Sequence, residues 1–245
     1  MNIKKIIIYD NNDINGEVFQ DILKNEIKNN FVKIMNYRGI KQPQAKALDN
    51  CYKIFNKKFN WIAFYDIDEF LQIRNFNDIN DFLSLPRFKK CQSILINWKN
   101  FGDNDKLYYE SKPLSERFPK PFYLNKSKKY SIYFRSAAKT IVRGGLKIEW
   151  GHLPHYLKNT INCRPDGTIL KNYFSPPQYS VAYLNHYTTK STEEYADKLN
   201  KGDVILRTDK KYIKNKIFNY YFLFNSKTKK KFDIFKKKLK YKIPL

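Results

Sequence analysis

Trp61-Ile62-Ala63-Phe64-Tyr65-Asp66-Ile67-Asp68-Glu69-Phe70-Leu71 runs from an apolar segment long enough for one buried strand straight into three carboxylates. In open α/β sheets ligands bind outside the carboxyl ends of the strands. Residues two apart on an extended backbone leave on one face, which puts Asp66 and Asp68 together at such an edge. Carboxylates at the end of a buried strand are costly unless a cation stands beside them. Two carboxylate oxygens suit a hard divalent cation, Mn²⁺ or Mg²⁺, whose shell is completed by water and phosphate oxygens, so a diphosphate is the expected companion. The alternative is a solvated acidic turn that follows a core strand.

Outward from this stretch the pattern alternates strand and helix. Residues 3–9 are apolar throughout and read as a buried parallel strand, followed by an Asn/Asp/Gly-rich turn from Asp10 to Gly16. Val18, Ile22, Leu23 and Ile27 stand at helical spacing over 17–28, and Phe31 to Met35 reads as the next strand. Pro43 opens a helix over 43–58 with Ala47, Leu48, Cys51 and Phe55 on one side. With Trp61 to Tyr65 as the central strand, this is the first half of a doubly wound domain. Downstream, Asn77 to Leu85 reads as a short helix ended by Pro86. Ser93 to Trp98, Ile132 to Val142 and Val181 to Tyr187 read as strands, and Thr192 to Asn200 as a helix. Between Phe101 and Lys129 the chain is polar and aromatic without periodicity. Because sugar rings stack their CH faces on aromatic side chains, that segment is assigned to an acceptor side, although some of its rings belong to the core.

The ordered fragments Ile6-Ile7-Ile8-Tyr9-Asp10-Asn11-Asn12-Asp13, Gln44 to Cys51, Asp66-Ile67-Asp68-Glu69, Ile96-Asn97-Trp98 with Phe101-Gly102, Ser115-Glu116-Arg117-Phe118, Lys139-Thr140-Ile141-Val142 and Asn185-His186-Tyr187-Thr188-Thr189-Lys190-Ser191 cover most of the first two hundred residues. Together they resemble the metal-dependent glycosyltransferases of GT-A fold, in the form of family 92 and its family 2-like relatives with an Asp-X-Asp-Glu motif. The resemblance implies an α/β, Rossmann-like GT-A domain over 1–207, with a mixed, mainly parallel sheet flanked by helices; beyond it the change to a Lys-rich, aromatic composition sets off a basic amphipathic helical tail over 208–245. It implies transfer of a sugar from a nucleotide-diphosphate donor, with inversion, to a glycan, polysaccharide or glycolipid acceptor. By the same resemblance Asp68 reaches the ion directly, Asp66 touches the ribose or the ion through water, and Glu69 orients the shell. Asp10 and Asn12 belong to the nucleotide-contacting turn. His186 returns to the metal as a third ligand, against the alternative of a core histidine. Inversion needs a base, for which Glu116 is favoured, with Asp103 and Asp105 as competitors and an ordinary ion pair between Glu116 and Arg117 as the bland alternative. Lys190 and Arg143 are candidates for a phosphate oxygen, and either His152 or His155 for the donor pocket. The usual strand and helix upstream of the Tyr-Asp-Asn turn are missing, which predicts a late start or a shortened variant that holds the nucleotide base weakly. A non-catalytic GT-A-like binding protein is the rival.

Composition narrows the partners. A net charge of +24 over 245 residues invites phosphate-rich partners. The excess is dispersed lysine without clustered arginine or a nucleic-acid module, so a nucleic-acid partner is not expected. Cys51, Cys91 and Cys163 are odd in number, widely spaced and outside any Cys-x-x-Cys pattern, which predicts neither a disulfide nor a zinc site, and a reducing compartment. No apolar run approaches the roughly 20 residues of a membrane span and no signal peptide is evident, so a cytoplasmic location is expected. From Lys210 onward Phe218, Tyr221, Phe222, Phe232, Phe235 and Leu239 recur between lysines at roughly helical intervals. Such a tail either lies on an anionic membrane surface as a peripheral contact or packs back on the domain.

Overall fold

A computed structural model describes residues 2–41, 43–122, 137–152, 154–172, 175–201 and 221. In chain order the strands are β1 (Ile6–Asp10), β2 (Val32–Asn36), β3 (Trp61–Ala63), β4 (Glu69–Ile73), β5 (Ser93–Asn100), β6 (Ala138–Arg143), β7 (Glu149–His152), β8 (Tyr156–Lys158), β9 (Asn162–Cys163) and β10 (Ala182–His186). The α-helices are α1 (Phe19–Ile22), α2 (Lys24–Lys28), α3 (Pro43–Phe55), α4 (Ile79–Leu83), α5 (Leu114–Arg117) and α6 (Thr192–Lys201). The result is a mixed α/β protein. The chain forms two compact units, the first from Met1–Phe64, Ile73–Leu95 and Thr140–Ile169, the second from Tyr65–Gln72, Ile96–Lys139 and Leu170–Leu245.

In the first unit β1 and β2 pair in parallel, Ile6 opposite Val32 and Asp10 opposite Asn36, as a two-stranded sheet of their own. The single helix expected over 17–28 is broken at Leu23 into α1 and α2, neither of which buries a residue. Helices this short have little stability without packing, which explains the break. Helix α3 does pack: Leu48, Cys51, Tyr52 and Phe55 return to one face and close a core with Phe64, Val142 and Leu157. Its C-terminal end is met by Gly144 and Gly145, whose N–H groups donate to Asn60 O (2.8 Å) and Asn56 O (2.9 Å). A Cβ at Gly144 would lie 2.0 Å from Phe59 O, so this approach requires glycine.

Two expectations fail in this unit. Trp61 to Tyr65 is not a central strand: β3 is three residues long, half-buried, antiparallel to β6 and last in its strand order. The first five elements therefore do not share one parallel sheet; an apolar run of this length does not reveal which strand it will pair with. The central strand is β5, buried along most of its length. The cysteines were also misjudged. The start of β5 pairs in parallel with β9, Ile94 opposite Cys163, and this register brings Cys91 and Cys163 to a Cα separation of 5.8 Å, where they form a disulfide; Cys51 is free and buried. Seventy-two residues of intervening chain hide that pair from any spacing rule.

In the second unit the end of β5 pairs in parallel with β10, Leu184 opposite Trp98 and His186 opposite Asn100, and β10 in turn neighbours β4. Phe101, Phe118 and Tyr187 form its apolar centre with Leu114. The N-terminus of α6 is closed on all sides. Ser191 and Glu194 make a reciprocal cap, and the N–H groups of Thr192 and Glu193 donate to Lys106 O (3.1 Å) and Leu107 O (2.9 Å). Arg117, itself buried, pairs with Glu194. Of the tail over 208–245 only Tyr221 falls within the described residues. It is fully buried against Tyr195, so at this residue the chain packs back on the unit; the surface-lying helices read from the tail lie outside the described residues, as do 123–129 of the aromatic segment and 132–136 of the strand expected over Ile132 to Val142. Among the described residues no helix is long and apolar enough to cross a membrane.

Candidate metal centre

The acidic stretch leaves β3 as a tight turn. The Glu69 N–H donates to Asp66 O (3.0 Å), and the Asp66 N–H donates back to Glu69 Oε2 (3.2 Å). This reciprocal closure replaces the extended backbone expected here, so Asp66 and Asp68 do not leave on a common face. The Asp66 side chain is 49% exposed, whereas Asp68 and Glu69 turn inward.

Strand β10 delivers His186 to the same place. Its Nε2 lies 3.9 Å from both Asp68 Oδ1 and Glu69 Oε1, and one donor atom from each of the three residues falls within 4.8 Å of the other two. On the far side of the ring, Nδ1–H donates to Asn100 Oδ1 at 3.1 Å, which leaves the Nε2 lone pair directed at the carboxylates. Trp98 covers the ring at 4.2 Å. Burial drives the His186 pKa down to about 4, with Asp68 opposing, so the ring is neutral and its 3.9 Å approaches are not ion pairs. Burial likewise pushes the Glu69 carboxyl up to about 8, only partly offset by Lys139. Asp68 is also pushed up by burial, but the combined pull of Lys198, Lys190 and Lys139 outweighs it and holds the carboxyl below its ordinary range.

Two lysines stand among these carboxylates. Lys139 on β6 is 1% exposed, with Nζ 2.7 Å from Asp66 Oδ2 and 3.3 Å from Glu69 Oε1; burial opposes its charge, and Asp66 and Glu69 more than restore it. Lys198 on α6 reaches Asp68 Oδ2 at 3.5 Å. Even so, Glu69 Oε1 is buried without a hydrogen bond. An unbonded carboxylate oxygen and a bare imidazole nitrogen facing one another are a donor set for a cation. One nitrogen and two oxygens fit Mn²⁺ better than Mg²⁺, which prefers oxygen alone.

The remaining candidates separate. Asp10 and Asn12 belong to the first unit, where Asp10 is buried in an ion pair with Arg38 (2.8 Å) and accepts the Asn12 N–H (3.0 Å). Arg143 is likewise committed, to Cys91 O and Phe88 O and to the Trp61 ring. Lys190 sits at φ +53° in the β10 to α6 loop, near enough to act on Asp68 by charge. Asp103 and Glu116 line a cavity of about 410 Å³, together with Asp105, Lys106, Lys120 and Phe122. Asp103 is buried and accepts from the Asp105 N–H (2.9 Å) and the Tyr221 hydroxyl (3.0 Å); Glu116, on the single turn α5, is exposed. The cavity lining begins at Gly102, two residues beyond Asn100. Of the predicted ligands, Asp68 and His186 therefore come together, Glu69 joins them, and Asp66 stands aside with Lys139. The Lys-rich sequence marked neither Lys139 nor Lys198 for this centre; the one signal was a lysine inside the apolar run Ala137-Ala138-Lys139-Thr140-Ile141-Val142. Neither a family model nor a curated protein matches the chain.

Proposed function

We propose that the protein is a Mn²⁺- or Mg²⁺-dependent glycosyltransferase that moves a sugar from a nucleotide-diphosphate donor to a glycan, polysaccharide or lipid-linked acceptor. The observation that carries this is the Asp68, Glu69 and His186 donor set, buried, with Glu69 Oε1 making no hydrogen bond although Lys139 Nζ stands 3.3 Å from it. Asp68, Glu69 and the Nε2 of His186 would hold a divalent cation, which would supply positive charge for a departing diphosphate, and Asn100 fixes the tautomer that makes Nε2 available. Lys139 anchors Asp66 and the Glu69 side of the turn. Glu116 is the base in this scheme, since its carboxylate is exposed at the cavity while Asp103 is engaged by Tyr221 and the turn at Asp105. The cavity's mixture of charged groups with Pro119, Pro121 and Phe122 suits a sugar, whose rings offer hydroxyls at the rim and CH groups on the face.

A second reading has one observation in its favour. Lys139 and Lys198 already face the carboxylates, as in a metal-free, non-catalytic relative that binds nucleotide without turnover. Release of nucleoside diphosphate from a panel of nucleotide sugars, with Mn²⁺ and after chelation, separates the two. Turnover that depends on Mn²⁺ and vanishes in Asp68→Asn supports the transferase; full turnover in Asp68→Asn refutes the centre. Nucleotide binding without turnover by the wild type favours the binding protein.

A further inference from the structure

On the divalent-cation and diphosphate reading above, we infer that Lys198 is the exchangeable counter-cation of the centre: it holds Asp68 in the metal-free protein and transfers to the diphosphate when cation and diphosphate enter together. The two lysines differ in the property that matters. Lys139 is sealed in, touches two carboxylates at 2.7 and 3.3 Å, and lies under the Trp98 ring at 5.8 Å; it has no route to a ligand without opening the unit. Among the described residues Lys198 makes one carboxylate contact, at 3.5 Å, and steadies it by donating to Thr188 O at 3.3 Å; its side chain is 52% exposed. It projects from the last turns of α6.

Electrostatics give this arrangement a direction. An ammonium 3.5 Å from a carboxylate oxygen competes with a divalent ion for the same electrons, so Lys198 opposes metal bound alone. A diphosphate reverses the sign, because the incoming negative charge gives the ammonium, a compact point charge with three rotatable donors, a better partner than Asp68. The N-terminus of α6 offers no substitute, since its N–H groups are taken by Ser191, Lys106 and Leu107. The device favours metal arriving with diphosphate over metal alone.

Isothermal titration of Mn²⁺ alone and of the preformed Mn²⁺ pyrophosphate complex, on wild type, Lys198→Ala, Lys198→Arg and Lys190→Ala, tests it. Lys198→Ala should bind Mn²⁺ alone severalfold more tightly and the pyrophosphate complex about tenfold more weakly, while Lys198→Arg restores the second. Opposite signs are the signature, since a merely structural role would weaken both together. Loss of both, change in neither, or a pyrophosphate defect confined to Lys190→Ala overturns the assignment to Lys198. A wild type that binds Mn²⁺ neither alone nor as the pyrophosphate complex overturns the metal centre itself, and Lys198's exchange with it. Thermal unfolding of each variant shows that the fold is intact.

Discussion

Glu69→Gln should make the metal-free protein more stable while removing its affinity for a divalent cation. The Glu69 carboxyl is fully buried, and its pKa rises from an ordinary 4.5 to about 8 because burial outweighs the attraction of Lys139. A carboxyl whose folded pKa is raised keeps its proton in the fold after the unfolded chain has released it. Stability is therefore complete below pH 4.5, falls by about 1.4 kcal/mol per pH unit above it, and levels off beyond pH 8. At pH 7 the penalty is about 3 kcal/mol, an order-of-magnitude figure. Glutamine copies the protonated form and can still accept the Asp66 N–H, so it escapes the penalty. Urea denaturation in chelator should show the variant more stable by on the order of 3 kcal/mol at pH 7, with the two proteins converging at pH 4. Added Mn²⁺ should raise the wild-type midpoint and leave the variant nearly unmoved. A variant less stable than wild type at pH 7 without metal would refute this account, because Glu69 would then be part of a favourable ion pair and not a carboxylate held ready for a cation.

Three further outcomes are expected. His186→Ala should weaken Mn²⁺ binding at least tenfold by titration, and Asn100→Leu, which leaves the ring but removes its Nδ1 partner, should weaken it by a smaller factor; an unchanged metal affinity in His186→Ala would return that residue to the core. Joint replacement of Cys91 and Cys163 by Ala should cost up to about 4 kcal/mol of unfolding free energy, from the loop of 72 residues that the disulfide closes, and mass spectrometry after alkylation without reductant should find Cys51 alone modified once the protein is unfolded. Tyr221→Phe should destabilise by about 1 to 3 kcal/mol in denaturant, since it strips a buried hydroxyl from Asp103 and Thr192; a change below about 0.5 kcal/mol would mean the hydroxyl contributes nothing there.

The elements that local pattern describes well are those whose stability is local. Helix α3 starts at Pro43 and buries the face read from Leu48, Cys51 and Phe55, and β2, β10 and α6 fall within a residue or two of their expected bounds. Elements whose form depends on distant partners were not legible. Whether Trp61 to Tyr65 is central or peripheral is decided by β6, nearly eighty residues away, and the disulfide by the pairing of β5 with β9. Asp-X-Asp-Glu reads naturally as extended chain; what folds it into a turn is a carboxylate of the motif bonding its own backbone. The meeting of Asp68 with His186 was legible. The part of Lys139, Lys198 and Asn100 was not, because single lysines and asparagines in so lysine-rich a chain carry no mark until the fold surrounds them with charge. The cysteine argument for a reducing compartment loses its premise as well, since Cys91 and Cys163 pair.

The centre draws on the chain in a fixed order as it leaves the ribosome: Asp66, Asp68 and Glu69 first, Asn100 and Lys139 next, His186 and Lys198 last of the set. Until Lys139 emerges, the turn carries three carboxylates that are far cheaper to leave hydrated than to bury. Until His186 emerges, β10 cannot lie between β4 and β5. The acidic turn therefore waits in water until β10 and α6 have been made, and ordering of the centre follows their arrival. Nascent chains stopped before residue 186 should retain the Asp-X-Asp-Glu motif intact and be unable to capture a cation, so that metal binding would report the docking of β10.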